Sequence, residues 1–224
     1  MQRRRRQVII APFAFPDLHV RHFPKTLTAL LFSSLAALAA PASADATYVI
    51  IRHGEKPPGG LGQLNCQGLN RALALPPVLL SRFGKPTALF APNPAVKKPD
   101  KGVPYYYIRP LATIEPLAIR LGMPVDIGWE MTQVKPLAEA LLQKPDGTYV
   151  IAWEHHLAVQ LAQALLLQAG GDPAQVPHWE DGDFDSIYVV RRPAGAASAA
   201  TFETDRQGLN KLPETCPDNN AKPE

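Results

Sequence analysis

Tyr48-Val-Ile-Ile-Arg52-His53-Gly54-Glu55-Lys56-Pro57 is the stretch whose reading decides the fold. Tyr, Val and Ile are stiff or bulky at Cβ and suit a buried strand. Gly54 ends the apolar run and permits a backbone turn that other residues resist. Arg52 and His53 therefore fall at the carboxyl end of a strand, where open α/β sheets hold their ligands. A cation, an imidazole and a glycine at that position make a poor core but a reasonable anion site.

Working outward, the rest of the chain repeats a strand-then-helix order. Strands are expected at 47–52, 88–91, 148–153, 186–191 and 200–204. Asn65 reads as the N-cap of a helix through 68–75, with Pro76-Pro77 kinking or restarting it before 78–82. Arg109-Pro110 opens a helix to Leu121, stopped by Gly122-Met-Pro124. Further helices are expected over 134–142 and 157–168, the latter closed by Gly170-Gly171. The loop 53–64 is rich in Gly and Pro, and 92–107 reads as irregular, with an extended stretch from Tyr105 to Ile108. This order predicts an α/β fold, a mixed and mostly parallel sheet with helices on both faces. There is no internal repeat and no glycine-rich nucleotide fingerprint.

The chain has 224 residues, 46% of them apolar, enough for one domain with a sizeable core. Its 24 prolines predict shaped loops. The formal charge of +3 belongs to the N-terminal segment, because residues 45–224 hold 17 basic and 19 acidic residues, a net −2. That balance argues against nucleic acid as a partner.

Residues 1–44 read as an N-terminal extension and signal peptide, leaving 45–224 as a single domain. Arg21 and Lys25 precede an apolar run from Thr26 to Ala40, followed by Pro41-Ala42-Ser43-Ala44, which predicts cleavage after Ala44. At 15 residues the run is shorter than the ~20 needed to span a bilayer, so no stable membrane anchor is expected. The domain is expected to be exported, periplasmic or secreted. Export permits a disulfide, and Cys66 and Cys216 are the candidate pair.

Three basic clusters lie at the ends of elements: Arg52 and His53, Arg109, and His155 with His156 after the strand 148–153. Side by side, they would form an anion pocket. Arginine presents a planar fork that matches phosphate oxygens. Histidine can attack phosphorus and give a phosphohistidine that water hydrolyses. Phosphoryl transfer needs mainly positioning and positive charge, and both are present without a metal.

Arg52-His53-Gly54-Glu55, then Arg109-x-x-x-Thr113, then His155 after a buried strand resembles the histidine phosphatase superfamily, in particular its phosphoglycerate mutase-like members from exporting bacteria. The resemblance covers 46–192. It implies that His53 is the phosphorylated nucleophile, that Arg52 and Arg109 bind phosphate, and that His155 completes the pocket. It also implies the mixed, mostly parallel sheet. The chain departs from the family pattern in two places. Phe90-Ala-Pro-Asn93-Pro94 and a long insertion precede Arg109, with Asn93 as a possible pocket donor. The second histidine is followed by His156, so the family's His-Asp acid is missing. Glu55 and Glu154 are the acid candidates, with Glu55 favoured because it lies on the pocket loop.

Other charged and aromatic residues carry plainer expectations. His156 reads as packing or support, Arg71 and Arg120 as helix-surface charges, Lys56 as a loop lysine, His178 as surface and Tyr105–Tyr107 as packing. The expected activity is a metal-independent phosphatase for small phosphomonoesters, with no cofactor. The alternatives are a phosphotransferase or mutase on the same site, or a low-activity binding protein for a phosphorylated ligand. A metal hydrolase is disfavoured, because no His-x-x-x-His or clustered Asp ligand set appears.

Overall fold

A computed structural model describes residues 45–194 and 198–217. Residues 1–44, where the signal sequence is expected, lie outside the described residues. Among the described residues, no helix is long and apolar enough to cross a membrane.

The sheet is mixed and mostly parallel. In chain order its strands are β1 (Ala46–Arg52), β2 (Ala88–Pro92), β5 (Val125–Trp129), β6 (Gly147–Trp153), β7 (Ser186–Arg192) and β8 (Thr201–Arg206). They lie side by side as β5-β2-β6-β1-β7-β8. The first four neighbours run parallel, and β7 then pairs antiparallel with both β1 and β8. β3 (Lys97–Asp100) and β4 (Val103–Tyr106) form a separate hairpin. The helices are α1 (Cys66–Phe83), α2 (Arg109–Leu121), α3 (Val134–Leu142) and α4 (His155–Gln168).

Alternation along β1 builds both cores. Tyr48 and Ile50 face α3 and α4, packing with Leu137, Leu161 and Leu165. Val49 and Ile51 face α1 and α2, packing with Leu75, Leu79, Ile114 and Leu117. Helices on both faces explain why β1 and β6 are apolar almost throughout.

Several local expectations are corrected. Pro76 and Pro77 sit inside an unbroken α1, although each lacks an N–H for the helix ladder. The buried contacts of Leu75 and Leu79 carry the helix through. Asn65 does cap α1, its side chain accepting from Gly68 N at 2.8 Å. His155 and His156 are the first residues of α4, with Glu154 as N-cap accepting from Leu157 N, so the helix begins two residues earlier than the pattern suggested. The insertion 92–107 is not irregular throughout. Its hairpin turns at Lys101 (φ 47°) and Gly102 (φ 84°), a two-residue loop with both central residues left-handed.

Cys66 and Cys216 are joined by a disulfide with a Cα–Cα distance of 4.5 Å. Asn70 Nδ2 donates to the carbonyls of Pro213 and Thr215, and Gln67 Nε2 to that of Leu212, so the tail lies along α1.

Candidate active site

β1 and β6 are in register, Arg52 opposite Trp153, so their carboxyl ends open at the same level. His53 N donates to Trp153 O at 3.1 Å. His53 and the Glu154–His155 pair therefore leave adjacent strands together. α2 is tied to this edge by a relay: Gly54 N donates to Thr113 Oγ1 at 2.9 Å, and Thr113 Oγ1 donates to Arg109 O at 2.8 Å. Gly54 does not need a left-handed φ. A Cβ there would lie 2.9 Å from Gly68 O, and one on Gly68 would lie 2.4 Å from Glu55 O. The glycines let the His53 loop touch the start of α1.

His53 is 2% exposed. Its Nδ1 lies 2.7 Å from Gly54 O, an acceptor only, so Nδ1 carries the proton and Nε2 keeps its lone pair. Burial pushes the imidazole pKa well below its ordinary value, and the Arg109 and Arg52 cations add to this against the opposing Gly54 hydrogen bond. The ring is a neutral base with a fixed tautomer.

Both arginines are buried, and each is held from behind. Arg52 Nη1 donates to the carbonyls of Asp181 (2.7 Å), Asp183 (2.9 Å) and Glu180 (3.3 Å), and its guanidinium stacks 3.9 Å from the Phe184 ring centroid. Arg109 donates to both Asp100 oxygens, at 2.8 and 3.2 Å, and to Gly60 O at 3.0 Å. The Asp100 carboxyl would be raised by burial, but Arg109 and the Gly62 N–H bring it below the ordinary carboxylate range. The Nε atoms of Arg52 and Arg109 are buried without hydrogen-bond partners, donors that a phosphoryl oxygen would satisfy. Tyr107, 2% exposed, packs edge-on against His53 with centroids 5.8 Å apart and lies 4.6 Å from the Arg109 guanidinium. Of the tyrosine run, this residue lines the site.

His155 Nε2 lies 2.8 Å from Asp181 Oδ1, and its Nδ1 lies 3.0 Å from Glu154 Oε1. Glu154 also faces Lys98 Nζ at 3.7 Å, contributed by β3. Burial would raise the Glu154 carboxyl, but the His155 hydrogen bond, the Lys98 ammonium and the Leu157 N–H lower it to about 2. The His156 ring lies 3.9 Å from that of His155, half exposed to solvent.

Three sequence expectations change. Glu55 points into an ion pair: Arg71 Nε reaches its two oxygens at 3.1 and 2.9 Å, and Nη2 reaches Oε1 at 2.6 Å. To act as an acid it would have to leave that pair. Arg71 is therefore no surface charge but is 1% exposed, bound also to Gln207 at 2.9 Å. Asn93 Oδ1 accepts from Ala95 N at 2.9 Å, a local turn rather than a pocket contact. The sequence reading missed Lys98, Asp100, Asp181 and Phe184. Asp100 carried a signal, the Asp-Lys-Gly-Val turn of a hairpin whose strands hold two prolines. The loop 180–185 carried none.

No family model and no curated protein matches the sequence. Among solved structures, the chain is similar to one assigned as phosphohistidine phosphatase SixA from Nakamurella multipartitia, at 13% identity and TM-score 0.49 over 73% of this chain and 96% of that one. It is also similar to mycobacterial glucosyl-3-phosphoglycerate phosphatase, at 17% identity and TM-score 0.48 over 72% and 97%. A third is the protein histidine phosphatase SixA complexed with tungstate, at 14% identity and TM-score 0.48 over 72% and 97%. Likenesses at this level carry no inference about chemistry, which rests on the side chains described above.

Proposed function

We propose that the protein is an exported, metal-independent phosphatase that hydrolyses small phosphomonoesters through a phosphohistidine on His53. The observation that carries the reading is the state of His53, neutral and buried beside two arginines, with Nδ1 committed to Gly54 O. Nε2 attacks phosphorus, the ester P–O bond breaks, and the leaving oxygen departs with its electron pair. Water then attacks the phosphohistidine and releases inorganic phosphate. Arg52, Arg109 and His155 carry the charge on the equatorial oxygens, where positive charge contributes most.

Among the described residues, neither acid candidate is free to protonate the departing oxygen. Glu55 is held by Arg71, and Glu154 titrates at about 2. The favoured substrates are therefore those whose leaving group needs no proton. Export is supported by the A-x-A segment ending at Ala44 and by the disulfide. N-terminal sequencing of the mature protein should begin at Asp45, and an uncleaved chain in the cytoplasm would refute export.

Hydrolysis of p-nitrophenyl phosphate in the presence of EDTA, beside a His53→Ala control, tests the activity. Turnover that survives EDTA and disappears in the control is the expected result. Substantial turnover by the control would overturn the nucleophile assignment.

A further inference from the structure

At the carboxyl edge of the sheet, α4 begins with two adjacent histidines that the phosphatase chemistry uses only in part. One donor atom from each of Glu154, His155 and His156 lies within 4.8 Å of the other two. Asp181, from the loop before β7, brings Oδ1 to 2.8 Å from His155 Nε2 and 3.6 Å from His156 Nε2. We propose that this cluster is a transition-metal site, with His155 Nε2, His156 Nε2 and the Asp181 carboxylate as ligands, and that a bound ion competes with substrate for His155.

The spacing fits. Ligands about 2.0–2.1 Å from a tetrahedral ion stand roughly 3.3 Å from one another, between the two separations that Asp181 makes. The second ring nitrogen of His155, Nδ1, is buried 3.0 Å from Glu154 Oε1 without a hydrogen bond, so a carboxylate stands beside it to hold the ring once Nε2 binds an ion. Two imidazoles and one carboxylate suit zinc, nickel or copper rather than magnesium or calcium. A hydrogen bond explains the His155–Asp181 contact by itself. His156 stands at 3.6 Å, within ion-pair range of Asp181 but too long for a hydrogen bond, a separation that a shared ion also fits. The His156 and Asp181 side chains are 54% and 84% exposed, so an ion can enter and water can fill the fourth position. Binding replaces the proton between His155 and Asp181, which passes to solvent.

No helical His-x-x-x-His spacing marks this site in the sequence. Here the histidines are adjacent, and the third ligand comes from a distant loop. Competition rests on the proposed role of His155 in holding phosphate, whereas metal binding does not.

Zinc chloride titrated into the tag-free full-length protein by calorimetry, in a non-chelating buffer at neutral pH, tests the site. One ion should bind per chain. His156→Ala and Asp181→Asn should each weaken it at least about tenfold, with circular dichroism unchanged because both side chains are largely exposed. No stoichiometric binding, or equal binding by both variants, would overturn the site. Zinc should also inhibit p-nitrophenyl phosphate hydrolysis competitively, with EDTA restoring the rate. Binding without inhibition would overturn the competition alone. A wild-type protein with no turnover would remove the competition together with the phosphatase reading, while the calorimetry would still decide the metal site.

Discussion

Glu55→Gln separates a strut from an acid. The substitution keeps shape and removes charge from a pair whose side chains are 11% and 1% exposed. Removing one partner from a buried ion pair costs about 3–5 kcal/mol, because the other charge is left uncompensated. Arg71 would keep Gln207 at 2.9 Å and Asp185 at 3.5 Å on Nη1, which places the loss near the lower end, about 3 kcal/mol. That is a large part of a typical stability of about 5–15 kcal/mol. Urea unfolding with the disulfide intact measures it. With a slope of roughly 2 kcal/mol/M the midpoint falls by about 1.5 M. Below the transition, p-nitrophenyl phosphate turnover should change little. A general acid would behave oppositely, since its loss lowers kcat by about 10²–10⁴. An unchanged midpoint with a hundredfold loss of kcat would refute the strut.

The remaining predictions follow from the same geometry. Without a free acid, turnover should fall steeply as the leaving group becomes more basic, alkyl phosphates lagging aryl phosphates by at least about 10², the size of a missing proton transfer; equal rates would refute this. Burial, with Arg109 and Arg52, lowers the His53 pKa, so nitrogen NMR should find this imidazole unprotonated well below pH 6.5. The unfolded ring then takes up a proton that the folded ring refuses, so this group lowers stability as pH falls below 6.5; a His53 titration near the ordinary value would refute both statements. Reducing Cys66–Cys216, which spans 150 residues, should cost about 2–5 kcal/mol in urea unfolding; an unchanged midpoint would show that the bridge adds nothing to stability.

The sheet was legible where burial on both faces imposed a pattern. β1, β6 and β7 read as apolar runs because helices cover them. β5 was not legible: Val125-Asp-Ile-Gly-Trp129 lies at the sheet edge, half-buried or exposed, so its composition is mixed. The same contrast holds at the site. Arg52, His53, Arg109 and His155 stand at element boundaries, where a change of periodicity marks them. Arg71 occupies an ordinary position on α1, and periodicity alone cannot tell a solvated charge from one facing Glu55. Asp181 sits 26 residues from His155 in a loop whose path follows Trp179 and Tyr188 packing, a tertiary matter.

The two arginines are braced by different chemistry. Arg52 rests on three neutral carbonyls and an aromatic face with no carboxylate hydrogen-bonded to it, so its charge is opposed only from a distance, by Glu154, Asp181 and Asp183. Arg109 is gripped by the Asp100 carboxylate, which cancels much of its field at a distance while fixing its plane. Attraction of an anion therefore falls mainly to Arg52 and to Lys98, both opposed by Glu154. Orientation of the bound anion falls to Arg109. The hairpin that supplies Asp100 and Lys98 thus governs both, holding one arginine rigid with its carboxylate and restoring with its ammonium some of the charge that rigidity removes.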